Sequence, residues 1–210
     1  MPQKYILRSA PIVVLMAVFV TAGWIGGITY PIDVQVIQAA QDWRAQSPPL
    51  TVAMIALTHL GSIYATLGGG LFIALWLSVY GHYHRAVLLA VAVLGERLLV
   101  DGIKLLLDRA RPAFDIHPVA THSASFPSGH SANSMAVFLT VALIAAPPRW
   151  RYPAVVLAVT LSVMIGFSRV YLGVHWPSDV IGGWALGAIV AIIATRVAAR
   201  LDARLDAIEA

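Results

Sequence analysis

Three short polar segments interrupt a chain dominated by hydrocarbon side chains, and each carries residues able to act on an anion. The first is "KLLLDRARP", Lys104 to Pro112. On a helix, three- and four-residue spacings put Lys104, Asp108 and Arg111 on one face, so two cations can point at a common target. Pro112 would then end the helix. The same residues also suit an ion-pair ladder with Asp101 and Asp108, with the basic ends snorkelling to an interface. The second segment is "SFPSGHSANS", Ser125 to Ser134. Pro127, Ser128 and Gly129 read as a helix entry with Ser128 at the N-cap, and the backbone N–H groups that follow make an anion cradle beside His130. A helix start that merely carries a histidine is the plainer reading. The third is "SRVYLGVHWPSD", Ser168 to Asp179. Pro177 suits the first position of a helix, which puts Asp179 in the first turn, within reach of His175. A carboxylate on one imidazole nitrogen fixes the tautomer and leaves the other nitrogen as base or nucleophile. Arg169 stands at the end of the preceding apolar run. A capping carboxylate beside an interfacial histidine would fit the same residues.

Taken jointly, two histidines, a carboxylate, two arginines, a lysine and a helix N-terminus are what phosphoryl transfer needs, since that chemistry is mostly positioning and charge stabilisation. No metal ligands are evident in the pattern, and no cofactor is expected.

The elements that must hold these segments are membrane helices. Of 210 residues, 59% are hydrophobic and 11% charged, against roughly half and a quarter in soluble domains. A helix needs about twenty apolar residues to cross a hydrocarbon core. Suitable runs are Pro11 to Tyr30, His59 to Tyr80, Ala86 to Leu107, Ser131 to Ala146, Pro153 to Tyr171 and Ile181 to Ala199. The expected fold is an all-α polytopic bundle of about six transmembrane helices, forming a single domain over residues 1–210. A short interfacial helix is expected within Asp33 to Pro48, where Val36, Ile37, Ala40 and Trp43 recur at helical spacing.

The net charge of +4 is a matter of sidedness, not of nucleic acid. Lys4 and Arg8, Arg85, Arg149 and Arg151, and Arg196, Arg200 and Arg204 all fall on one side for an even number of crossings. The positive-inside tendency assigns that side to the cytoplasm. Both termini are therefore expected in the cytoplasm, and the polar segments on the extracytoplasmic face of the inner membrane. Lys4 and Arg8 also suit a signal-peptide n-region; the long run with no small-x-small site favours a retained anchor. The chain has no cysteine, which excludes disulfides and thiolate metal sites.

The glycines of "LGGGL" (67–71) and "GGWALG" (182–187) read as close helix packing. His59 is expected to be packed or hydrogen-bonded, His82 and His84 interfacial, and His117 and His122 solvated in the loop before the second segment. Glu96 and Arg97 lie deep enough in an apolar run to demand partners inside the bundle.

In order and internal spacing, "KLLLDRARP", "PSGH" and "SRVYLGVHWPSD" resemble the three-part motif of the type 2 phosphatidic acid phosphatase family. The match runs from Lys104 to Asp179, and the six-span layout is similar to that of the family's membrane members. The resemblance implies that His175 attacks phosphorus to form a phosphohistidine, oriented by Asp179, and that His130 protonates the leaving oxygen. It implies that Lys104, Arg111, Arg169, Ser128 and Gly129 hold the phosphate, with no metal required. The expected activity is hydrolysis of a lipid phosphate or diphosphate such as undecaprenyl diphosphate, phosphatidylglycerol phosphate or phosphatidic acid. Two alternatives stand beside it. One is transfer of the phosphoryl group to an acceptor lipid. The other is a transporter that binds phosphate without cleaving it, which leaves the spacing of His175 and Asp179 without a purpose. The soluble haloperoxidases share the motif but not this composition.

Overall fold

The computed structural model describes residues 2–27, 31–113, 118–121 and 123–209. Eight helices make up the regular structure of the described residues, and they contain no strand. They are α1 (Pro2–Gly27), α2 (Pro31–Gln46), α3 (Pro48–His59), α4 (Ile63–Val79), α5 (Tyr83–Leu107), α6 (Gly129–Ile144), α7 (Pro148–Tyr171) and α8 (Pro177–Glu209). The loops containing His117 and His122 fall outside the described residues at those two positions.

α6 sits at the centre, packed on α8 and α7 and flanked by α5 and α4, while α1 covers α8 from the other side. Its residues from Ser131 to Val137 are all buried. What lets α8 press so closely is the absence of side chains at two glycines. A Cβ on Gly183 would lie 2.6 Å from the Ser128 carbonyl oxygen, and one on Gly187 2.5 Å from that of Ala132. In "LGGGL" only Gly70 works this way, against Val93 and Val137; Gly68 and Gly69 face open space.

The outer faces carry the hydrocarbon. Phe72, Leu75, Val87, Val91, Leu98, Leu105 and Leu106 are all exposed, a distribution that no soluble surface sustains and that lipid requires. Among the described residues, α7 and α8 are each long and apolar enough to cross a membrane, and α3 with α4 makes a third span if the pair is taken as one. α1 and α6 contribute shorter apolar stretches, Ala10–Trp24 and Gly129–Ile144. α5 spans 25 residues but carries Arg85, Glu96, Arg97, Asp101 and Lys104.

Three local expectations are corrected. The run expected from His59 is preceded by a further helix and broken at its start: α3 runs to His59 and meets α4 at a 41° bend. The break is tight because a Cβ at Gly61 would lie 2.5 Å from the Ile165 side chain and 3.2 Å from the His130 carbonyl oxygen. Ser62 then caps α4, accepting from the Ala65 N–H at 3.3 Å. His59, at the end of α3, is exposed and not packed. Second, α5 does not continue to Arg111. It stops at Leu107, and Asp108 takes a left-handed conformation with φ 38°. This is the usual way a chain leaves a helix, with a residue able to tolerate that region. Third, α2 turns Ile37 and Ala40 inward but leaves Val36 and Trp43 exposed.

C-terminal ends of α5 and α7 and N-terminal ends of α6 and α8 meet at one end of the bundle, where all three polar segments gather. At the opposite end Asp202 holds Arg85 at 2.8 Å and His84 at 2.5 Å, clamping α8 to α5. His82 is exposed there.

Candidate active site

The third segment folds as its residue types dictate. Pro177 opens α8, and Asp179 turns back so that its Oδ2 accepts the Trp176 N–H at 2.9 Å. That is half of a capping box. The same oxygen faces His175 Nδ1 at 3.3 Å and accepts the Ser125 hydroxyl. The capping reading and the histidine-orienting reading are therefore both true of one carboxylate. His175 is 2% exposed and Asp179 fully buried.

The other imidazole nitrogen defines the tautomer. Nε2 lies 3.1 Å from Arg111 Nη1. A guanidinium only donates, so Nε2 accepts and the ring proton sits on Nδ1, toward Asp179. Burial, with Arg111, Arg169 and Lys104 nearby, holds the His175 imidazole well below the usual histidine range. A neutral ring with its lone pair on Nε2 is a nucleophile's protonation state.

Around that nitrogen stand three buried or half-buried cations. Arg111 comes from the loop after α5 and is tied by the Ser123 carbonyl at 2.8 Å and the Val174 carbonyl at 2.6 Å. Lys104, in the last turn of α5, donates to the Ala124 carbonyl. Arg169, at the end of α7, donates to Thr58 Oγ1 at 2.8 Å, and its Nε has no partner among the described residues. Among those residues no carboxylate lies within ion-pair distance of any of the three, so the ladder with Asp101 and Asp108 does not form. Asp101 instead pairs with Arg97 at 2.6 Å. Buried positive charge without a carboxylate in ion-pair contact among the described residues is costly unless an anion enters the cluster.

The second segment supplies the opposite wall. Ser128 is at the N-cap of α6 as expected, but its side chain caps nothing; its Oγ accepts from Ser131 Oγ at 3.1 Å. Its own N–H donates to the Asp179 carbonyl at 3.0 Å, which stitches α6 to α8. The cradle is thus reduced to the N–H groups of Gly129, His130 and Ser131, which helix geometry leaves without partners one turn back. His130 lies close enough to Arg169, His175 and Arg111 for their charges to act on it.

Several participants were not singled out in the sequence. Ser125 binds Asp179, and Thr58 holds Arg169. Arg109 places Nη1 2.5 Å from Asp179 Oδ1 and Nη2 3.0 Å from Asp33 Oδ2. Glu96 also finds its partner: with its amide nitrogen turned to the carboxylate, Asn133 donates at 2.9 and 3.1 Å to Glu96 and at 3.1 Å to the Gly129 carbonyl. Arg109 sat in view inside "DRAR", but the helical spacing written for Lys104, Asp108 and Arg111 passed it over.

The fold and site define a class: a membrane helix bundle with a buried, carboxylate-oriented histidine facing a cationic pocket. Residues 85–202 match the model of the PAP2 superfamily. The chain is 32% identical over 157 residues to phosphatidylglycerophosphatase B of Bacillus subtilis, covering 69% of this chain and 73% of that one. It is 38% identical over 133 residues to lipid A 1-phosphatase of Rhizobium johnstonii, covering 59% of this chain and half of that one. Its structure is similar to the crystal structure of a transmembrane PAP2-type phosphatidylglycerolphosphate phosphatase from Bacillus subtilis, with a TM-score of 0.82 and 29% identity over 90% of this chain and 96% of that one. The chain belongs to the PAP2 superfamily, among its membrane-embedded phosphatases.

Proposed function

We propose that the chain hydrolyses a lipid phosphate or diphosphate through a phosphohistidine on His175. The observation that carries this reading is the tautomer: Asp179 holds Nδ1 while the Nε2 lone pair faces Arg111. A protein that only bound phosphate would have no use for that arrangement.

The lipid's phosphoryl group enters the cluster of Lys104, Arg111 and Arg169, beside the N–H groups of Gly129 and His130 and the hydroxyl of Ser128. His175 Nε2 attacks phosphorus, and the bond to the lipid oxygen breaks. His130 gives that oxygen its proton. A water molecule then attacks the phosphohistidine, His130 takes the water's proton, and the P–N bond breaks to release inorganic phosphate. Asp179 stabilises the cationic ring in each step. For a diphosphate the leaving group is the lipid monophosphate.

The site faces the extracytoplasmic side of the inner membrane and both termini face the cytoplasm. Support comes from charge: Arg85, Arg149 and Arg151 lie in the first turns of α5 and α7, and Arg196, Arg200 and Arg204 in the C-terminal half of α8, all remote from the site. Thiol labelling of Ala113→Cys tests this, because the chain has no other cysteine. Labelling from the cytoplasm alone would reverse the orientation.

Phosphate release by the detergent-purified protein in EDTA, from a C55 prenyl diphosphate, phosphatidylglycerol phosphate and phosphatidic acid, tests the chemistry with His175→Ala alongside. Release in EDTA that vanishes in the variant is the expected result. Turnover retained by His175→Ala would remove the nucleophile assignment, and phosphate appearing on an added acceptor lipid in place of solution would make the protein a transferase.

A further inference from the structure

Arg109 is the cation of this region that the phosphate chemistry leaves unused. Its side chain is 10% exposed, and both terminal nitrogens are taken up by carboxylates. Nη1 binds Asp179 Oδ1 at 2.5 Å and Ser178 Oγ at 2.8 Å; Nη2 binds Asp33 Oδ2 at 3.0 Å. The guanidinium carbon stands 5.6 Å from the centre of the Trp176 ring, whose indole N–H donates to the Ala110 carbonyl at 2.9 Å. Asp33, in the first turn of α2, is 4% exposed. It accepts the Ser178 N–H at 3.2 Å and the Ser178 hydroxyl as well.

The division of labour on Asp179 is sharp. Oδ2 carries the Trp176 N–H, the Ser125 hydroxyl and His175 Nδ1, while the ionic partner of Oδ1 among the described residues is Arg109. A guanidinium held at both ends cannot swing toward substrate, and it fixes the rotation of the carboxylate it binds. We propose that Arg109 and Asp33 are positioning residues: α2 delivers Asp33, Asp33 anchors Arg109, and Arg109 locks Asp179 so that Oδ2 stays on His175. The proposal rests on the phosphatase reading above. It goes further in making α2, which carries none of the three motifs, part of the machinery, three polar contacts removed from the nucleophile.

The test is steady-state kinetics of Arg109→Gln, Arg109→Lys, Asp33→Asn and the double variant Asp33→Asn/Arg109→Gln, with His175→Ala and binding of inorganic phosphate alongside. Arg109→Gln is expected to lose kcat by about 10- to 100-fold, the range for partners that orient a reacting group, with KM and phosphate affinity within about twofold. Arg109→Lys should recover part of that loss, because an ammonium still reaches one carboxylate. Asp33→Asn should lose less, and the double variant should be no worse than Arg109→Gln, since both changes break one chain. Losses that multiply in the double variant, or a kcat unchanged in Arg109→Gln, would overturn the proposal. Should Arg109→Gln fail to bind phosphate at all, Asp33→Asn decides: full activity in it rejects the relay. Activity surviving in His175→Ala would instead remove the nucleophile assignment and leave the network without a reacting group to position, whereas no phosphate release by the unsubstituted protein would sink the phosphatase reading itself.

Discussion

Nε2 of His175 lies 3.1 Å from Nη1 of Arg111, and the same guanidinium is fixed by the carbonyls of Ser123 and Val174. Three acceptors arranged around one planar fork are a geometry that lysine's single ammonium cannot reproduce. Arg111→Lys is therefore expected to lower kcat/KM by about 100-fold, on the scale of removing one transition-state donor. A loss under about threefold would mean that Arg111 serves the loop and not the phosphate.

The environment of His175 sets a pH dependence. Burial and three nearby cations hold its imidazole well below the usual range, so the neutral ring persists as pH falls. The single-turnover rate of phosphoenzyme formation should stay nearly level from pH 7.5 to 6. A histidine of ordinary pKa, about 6.5, would lose more than half of its neutral form over that interval, and such a decline would show that the ring is solvated before attack.

His130 is assigned to the leaving oxygen, which makes its importance depend on how much help that oxygen needs. His130→Ala should cut turnover of an alkyl phosphate by about 100-fold or more and of an activated aryl phosphate far less. Equal losses on both substrates would place the residue in phosphate binding.

Gly187 tests the packing. A Cβ there would sit 2.5 Å from the Ala132 carbonyl oxygen and 2.8 Å from the Ala136 nitrogen, backbone atoms that cannot step aside. Gly187→Ala should cost about 1–3 kcal/mol, the range for overpacking a close interface, read as a lower melting temperature in detergent. An unchanged transition would mean that α6 and α8 have room to separate.

Much of the site was legible because its chemistry is local. Histidine, proline and aspartate in "HWPSD" are four residues apart at most, and a proline-opened helix brings Asp179 back to His175 whatever surrounds it. The helix entry at Ser128 and the end of α7 at Arg169 were readable in the same way. α5 misled for the opposite reason. A helical spacing can be written for Lys104, Asp108 and Arg111, but the left-handed turn at Asp108 breaks it, and Arg111 reaches His175 from a loop.

Composition and short-range pattern determined that this chain is a membrane helix bundle and pointed to the motif residues as candidates for holding a phosphate, because hydrocarbon content and i to i+4 spacing are properties of the chain itself. Tertiary structure alone decided that Arg111 lies against Nε2 of His175 and that Arg109 locks the carboxylate of Asp179. It also brought Asp33, 146 positions away in the chain, to the same network as Asp179. A buried carboxylate holds its charge only where packing delivers a cation, and packing is a property of the assembled bundle.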